Sequence, residues 1–280
     1  MTGQCLNCGT PLTGPFCPQC GQKASETDPT LRTFLQDTTQ ELTDLDGKVP
    51  RTVVALFTKP GLLTKDFLAG RRARWIPPLR IYLFASLAYF LSGPLVDSLT
   101  HRKQKAIARI GITDSTGSTT LTPQARQDLE KSRVAQLIGV ERLVRATEDD
   151  AKLSQTISSA FPKAMFILLP LFALLTSIAW RRALPHYPAH LYLAVHLHAG
   201  WFAALTVAEL LSIIQSVAFE AVLGISAAVY VVGYALIALR RVFNESWGRT
   251  IAKTAGIAVV YLACFAGVSV ALLVYAVSRM

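Results

Sequence analysis

Residues 189–239 read AHLYLAVHLHAGWFAALTVAELLSIIQSVAFEAVLGISAAVYVVGYALIAL, and this stretch decides the fold class. Its only charged residues are Glu209 and Glu220. A helix needs roughly 20 mostly apolar residues to cross a hydrocarbon layer about 30 Å thick, because each residue adds about 1.5 Å. The stretch holds two such segments, 189–214 and 217–239, so close together that they predict a tight helical hairpin.

Three further apolar segments lie outside it, at 79–96, at 161–180 with Pro170 inside, and at 251–277. Together they predict an all-α integral membrane helical bundle of about five transmembrane helices. Composition agrees. Of the 280 residues 51% are hydrophobic and 16% charged, against about 25% charged in soluble domains, and the mean hydropathy is +0.38. The apolar residues collect after Leu79, whereas residues 1–78 and 97–160 are polar.

The net charge of +10 could serve nucleic acid, but its bases sit beside the apolar segments. That placement argues for membrane orientation and anionic headgroups instead. Lys59, Lys65, Arg71, Arg72 and Arg74 precede the first segment and Arg80 lies at its start, opposed only by Asp66. Arg181 and Arg182 follow the second, and Arg240, Arg241, Arg249 and Lys253 separate the fourth from the fifth. The positive-inside rule then predicts a bacterial inner membrane protein with a cytoplasmic N-terminus and a periplasmic C-terminus. The 97–160 loop would be periplasmic; it is long and mixed in sign, and long loops translocate with little regard to charge. Arg71, Arg72, Arg74, Trp75 and Arg80 become candidates for headgroup contact or orientation, with Trp75 and Tyr82 as an interfacial belt.

The polar segments carry weaker signals. Asp28-Pro29 opens a helix that should end near Asp46-Gly47. Val49–Phe57 and Leu62–Ala69 form short apolar runs closed by Lys59-Pro60-Gly61 and by Gly70. Residues 25–78 therefore read as juxtamembrane amphipathic helices lying in the cytoplasmic interface, the alternative being packing against the bundle. In the loop, Thr122-Pro123 opens one helix, and Thr113–Thr120 is linker-like. Gly224, Gly233, Gly256 and Gly267, with neighbouring alanines and serines, suit close helix packing; a homo-oligomer contact is the other use of such surfaces.

Cys5-Leu6-Asn7-Cys8-Gly9 and Cys17-Pro18-Gln19-Cys20-Gly21 are two C-x-x-C-G turns. Each can place two thiolates on one metal edge, with Gly allowing the tight backbone. Residues 10–16 suffice for a hairpin between them. Four thiolates in tetrahedral array suit Zn²⁺, so residues 1–24 are expected to form a zinc knuckle with one structural ion ligated by Cys5, Cys8, Cys17 and Cys20. The start, Met1-Thr2-Gly3-Gln4, lacks the basic and apolar character of a secretory signal, which predicts a reducing compartment for these thiols. A disulfide pair and a rubredoxin-type iron site are the competing readings of the same cysteines. With every coordination position filled by protein, the knuckle predicts a rigid docking surface rather than a catalytic metal.

His190, His196, His198, Glu209 and Glu220 are ionisable groups at membrane depth, which are costly and often functional. They form a candidate polar site for metal, protons or an anionic group; hydrogen bonding to neighbouring helices is the plainer reading. No phosphate-cradling loop, nucleophile elbow or H-E-x-x-H helix is present.

On several of these stretches the chain resembles a bacterial family of zinc-ribbon membrane proteins, domain-of-unknown-function family 3667. The resemblance rests on the paired C-x-x-C-G turns; on Asp44-Leu45-Asp46-Gly47-Lys48; on Lys59-Pro60-Gly61 with Ala69-Gly70-Arg71-Arg72 and Arg74-Trp75-Ile76-Pro77-Pro78-Leu79-Arg80-Ile81-Tyr82; and on His190-Leu191 with His196-Leu197-His198-Ala199. Ala189 stands where such proteins often carry an acid. The resemblance implies fold and topology and brings no activity with it. The leading functional expectation is a non-enzymatic adaptor or regulator that docks a cytoplasmic protein through residues 1–24. A transporter or lipid-handling protein, and a metal-dependent membrane enzyme, are the alternatives.

Overall fold

The computed structural model describes residues 3–24, 31, 47–100, 112–113, 119–120 and 150–278. Leu31 is helical; the remainder of the helix expected over 29–46, and the one expected after Thr122, lie outside the described residues. Seven helices stand among those described: α1 (Lys48–Thr58), α2 (Leu62–Leu68), α3 (Pro78–Thr100), α4 (Asp150–Ala179), α5 (Tyr187–Leu211), α6 (Val217–Phe243) and α7 (Trp247–Ser278). Two short strands, β1 (Ile112–Thr113) and β2 (Thr119–Thr120), pair antiparallel with Ile112 opposite Thr120. These strands flank the linker expected at 113–120, whose residues 114–118 lie outside the described residues.

α3, α5, α6 and α7 are each long and apolar enough to cross a membrane, and α4 carries a shorter apolar run, Ala164–Ala179. The helices do not share the bounds of the apolar segments. α3 continues past residue 96 to Thr100, and α4 begins at Asp150, within what hydropathy reads as loop. Hydropathy marks the length that lipid solvates, whereas backbone hydrogen bonding carries a helix on into polar sequence. α5 instead stops short at Leu211, because Ser212 turns the chain and Ser216 adopts the extended conformation that opens α6.

The chain divides into two compact units, Met1–Leu91 with Leu169–Val259, and Ser92–Leu168 with Val260–Met280. In the second, Val96, Ala164, Met165 and Leu168 are buried, and Thr100 returns its hydroxyl to the Val96 carbonyl. The first unit is built around the N-terminal half of α5, whose residues Ala189 to Gly200 are all buried. Gly200 lies under Tyr234 of α6 so closely that a Cβ there would stand 2.7 Å from the phenol. Elsewhere α3, α6 and α7 present large apolar side chains outward, Phe84, Ile225 and Val259 among them, as helices solvated by lipid do.

α1 and α2 pack against α5, and α2 also against α6. Thr52, Ala55 and Leu56 of α1 and Leu63, Thr64 and Phe67 of α2 are buried there. Their inward faces are therefore occupied by protein, as in the bundle-packing alternative, while Val49, Val53 and Val54 of α1 face outward. The Lys59-Pro60-Gly61 turn between them is gripped by α6. Tyr230 donates to the Phe57 carbonyl at 2.9 Å and Arg241 to the Pro60 carbonyl at 2.5 Å. Gly61 adopts φ 76°, and a Cβ on it would meet the Ala238 carbonyl at 2.8 Å, so both backbone and space require glycine here.

Candidate metal centre

The N-terminal turns form one unit used twice at a spacing of twelve residues. In the first, Cys5 N–H donates to the Thr10 carbonyl, Gly9 N–H to Cys5, and Leu12 N–H to Gly3, each at 2.8 Å. In the second, Cys17 donates to Gln22 at 2.8 Å, Gly21 to Cys17 at 3.0 Å and Ala24 to Pro15 at 2.9 Å. Antiparallel bridges close both, Gln4 with Pro11 and Phe16 with Lys23. Gly9 and Gly21 have φ of 78° and 70°, with open space where a Cβ would be. Glycine is needed there for its left-handed backbone rather than for room.

These turns bring Cys5, Cys8, Cys17 and Cys20 together, with every sulfur within 4.8 Å of the others. Cys5 and Cys20 are 3.6 Å apart, Cys8 and Cys17 3.5 Å. All four are free thiols, far from the disulfide distance of about 2.05 Å. Four sulfurs each about 2.3 Å from a common centre would lie about 3.8 Å apart, so the set fits a tetrahedral ion. The Cys8 thiol meets Thr10 Oγ1 at 3.3 Å. In the thiolate form the hydroxyl donates instead, and with the Thr10 backbone it lowers Cys8 to about 6. Burial pushes Cys20 up to about 11; a cation at the centre would offset that cost and hold every sulfur as thiolate.

The second turn presents Gln22 to the segment that leads into α3. Its Nε2 donates to the Gly70 carbonyl at 2.7 Å, and its Oε1 accepts from the backbone N–H of Arg72 and of Ala73, both at 3.0 Å. The cysteine unit is thus clamped to its own chain. The clamped segment is itself the cap of α2. Gly70, at φ 76°, donates to Phe67, and Arg71 N–H reaches back to Asp66, the two bonds of a Schellman motif. Where that motif usually has an apolar contact, Arg71 pairs with Asp66 through Nε at 3.0 Å and Nη2 at 2.6 Å. Trp75 Nε1 donates to the other Asp66 oxygen at 2.8 Å, and Arg74 stands 3.7 Å from it. Ile76 N–H ends on Thr52 Oγ1 of α1 at 3.2 Å.

From the cap the contacts run on into α5. Thr64 Oγ1 lies 3.1 Å from His196 Nδ1, Phe67 packs on Tyr192 and His196, and the Arg72 guanidinium stands 5.9 Å from the Tyr192 ring centre. The intramembrane histidines do not converge. His190 bonds through Nε2 to the Leu184 carbonyl at 2.9 Å and meets Thr176 Oγ1 of α4 at 3.2 Å through Nδ1. His198 donates Nδ1 to the Ala194 carbonyl at 2.8 Å and meets Phe172 and Trp201 edge-on. His196 Nε2 is buried with no hydrogen-bond partner among the described residues. Glu209 and Glu220 are half-buried, and eleven residues of helix put Glu209 about 16 Å beyond His198. Among the described residues the four cysteines are the only group of three or more placed to share a metal ion.

Of the residues expected at headgroups, Arg71, Arg74 and Trp75 turn inward to Asp66, and Trp75 is buried. Tyr82, expected beside it in the belt, is buried as well; Arg72 leans over Tyr192, and Arg80 stays half-buried. A lone acid among bases attracts them before any lipid does. Gln22 and Thr64 gave no sequence signal. Asp66 did, as the single acid between Lys59 and Arg80.

Fold and site together define a helical protein with four membrane-capable helices among its described residues and an N-terminal four-cysteine cluster able to hold a metal ion. Residues 46–90 match the model of a family described as a protein of unknown function, DUF3667. That match covers α1, α2, the clamped turn and the first part of α3. No curated protein and no solved structure matches the chain.

Proposed function

We propose that this protein is a non-enzymatic adaptor or regulator of a bacterial inner membrane, with a cytoplasmic zinc knuckle that braces its juxtamembrane turn. The observation that carries this reading is the Gln22 clamp: a closed four-cysteine unit spends one side chain on three backbone groups of the Gly70–Ala73 turn. Zinc is the ion favoured by four thiolates at tetrahedral spacing with no open position. The orientation rests on the bases around the 59–80, 181–182 and 240–253 segments. Five spans, counting α4, would leave the termini on opposite sides, and those bases favour a cytoplasmic residue 1–24 segment and a periplasmic C-terminus.

With Gln22 turned to its own chain, the knuckle still exposes Leu6 and Phe16, the surface through which it would engage a cytoplasmic protein. The test is complementation of a gene deletion by the Leu6→Asp, Phe16→Asp variant. The reading expects loss of complementation at unchanged metal content and membrane level. Full complementation would reject partner docking through this face.

A second reading, a transporter or lipid-handling protein, draws on one atom, the unpartnered buried His196 Nε2. Complementation by His196→Ala at normal membrane level would dismiss it. A membrane enzyme would need metal beyond the knuckle's single ion.

A further inference from the structure

The α4–α5 and α6–α7 connections meet at one lock. Trp180 stacks on Phe243 with ring centres 4.4 Å apart and planes at 3°. Its indole donates to Glu245 Oε2 at 2.7 Å. Lys253 reaches Glu245 Oε1 at 2.7 Å and lies 5.0 Å from the Trp180 ring centre. Lys253 is the base bonded to the Glu245 carboxylate, and the Arg249 charge acts on the same group from farther off.

Four more bases surround it. Arg181 and Arg182 follow Trp180 directly, Arg240 precedes Phe243 by less than a turn, and Arg249 follows Glu245 by about one. All four are exposed, and among the described residues none forms an ion pair. Arg240 covers Trp247 at 4.5 Å, leaving that ring 46% exposed. Beside the arginines, on the apolar stretches of the same helices, Ile178, Ile237 and Ile251 are exposed too.

Exposed guanidinium groups without an ion pair among the described residues, each within four residues of an exposed isoleucine, match one kind of ligand, an anion with a hydrocarbon tail. A soluble acidic protein would satisfy the arginines and leave the isoleucines unused. The other basic group differs, since Arg71 and Arg74 are already turned to Asp66. We propose that the turns after α4 and α6 form a binding surface for an anionic phospholipid, with its phosphodiester among the four arginines and its acyl chains along the three isoleucines. Arginine suits this task by its bidentate match to phosphate oxygens. The site does not depend on the knuckle or on the regulator reading.

The test is thermal unfolding of the full chain in neutral detergent, titrated with phosphatidylglycerol, phosphatidylcholine or inorganic phosphate. Phosphatidylglycerol is expected to raise the midpoint, and the other two to leave it unmoved. Each Arg→Gln exchange at the four positions should weaken the apparent lipid affinity by about fivefold, and the fourfold exchange should abolish the shift. Equal stabilisation by phosphatidylcholine would overturn the proposal, as would a shift reproduced by inorganic phosphate. Should the fourfold variant fail to fold, Arg182→Gln alone decides: wild-type affinity for phosphatidylglycerol there would overturn it equally.

Discussion

A carboxylate at 3% exposure is tolerated only when its oxygens are satisfied, and Asp66 has Arg71 on one oxygen and the Trp75 indole on the other. Those bonds fix the end of α2 and the start of the segment that Gln22 holds. Asp66→Ala leaves a buried indole donor and a half-exposed guanidinium without acceptors. Removing charge-assisted bonds costs about 1.5–3 kcal/mol each, discounted here for the solvent that reaches Arg71. The expected loss is about 2–3 kcal/mol, read as a lower unfolding midpoint in detergent; an unchanged midpoint would refute this role. Glu245 belongs to the same scale. The bond from Lys253, followed by that from Trp180, holds its carboxyl below the usual carboxylate range. A group depressed on folding stabilises fully above its unfolded value and loses that contribution as pH falls through its folded one. Between neutral pH and about pH 3.5, wild type should therefore lose more stability than Glu245→Gln. Parallel losses would show that the lock contributes nothing.

Among elements, the legible parts were those whose chemistry repeats in sequence. The C-x-x-C-G turns declare both ligands and backbone, since a tetrahedral thiolate set and a left-handed glycine leave few alternatives, and the long apolar helices declare themselves by length. What stayed hidden depends on tertiary contact. Gln22 looks like any surface glutamine until the Gly70–Ala73 turn is placed against it. The short apolar runs of α1 and α2 suit lipid and protein alike, and only packing on α5 and α6 decides between them. Trp75 reads as an interfacial aromatic because its partner, Asp66, lies nine residues away across a helix cap. The clamp makes a prediction at this scale. A knuckle that binds metal while docked on the turn would link metal binding to the stability of the helices. A chelator should lower the wild-type unfolding midpoint. In Gln22→Ala the ion should still bind, but chelation should move the midpoint of the helices much less. An equal shift in both proteins would mean that the clamp transmits nothing.

At the scale of the molecule, two solvents are written into one chain. Turns able to hold a metal ion make up the first residues, and outward apolar faces suited to lipid belong to α3, α6 and α7. The histidines show how one residue type takes different surroundings within a single helix. His190 and His198 are used by carbonyls, a threonine and aromatic rings to seat α5, and they share no centre with His196, Glu209 or Glu220. One metal site is therefore expected, at the amino end. Elemental analysis of the purified full-length protein against a chain lacking residues 1–24 measures this directly. The expected result is one zinc ion per full-length chain and none in the shortened one; metal retained at stoichiometric level after residues 1–24 are removed, or two ions in the intact protein, would contradict it.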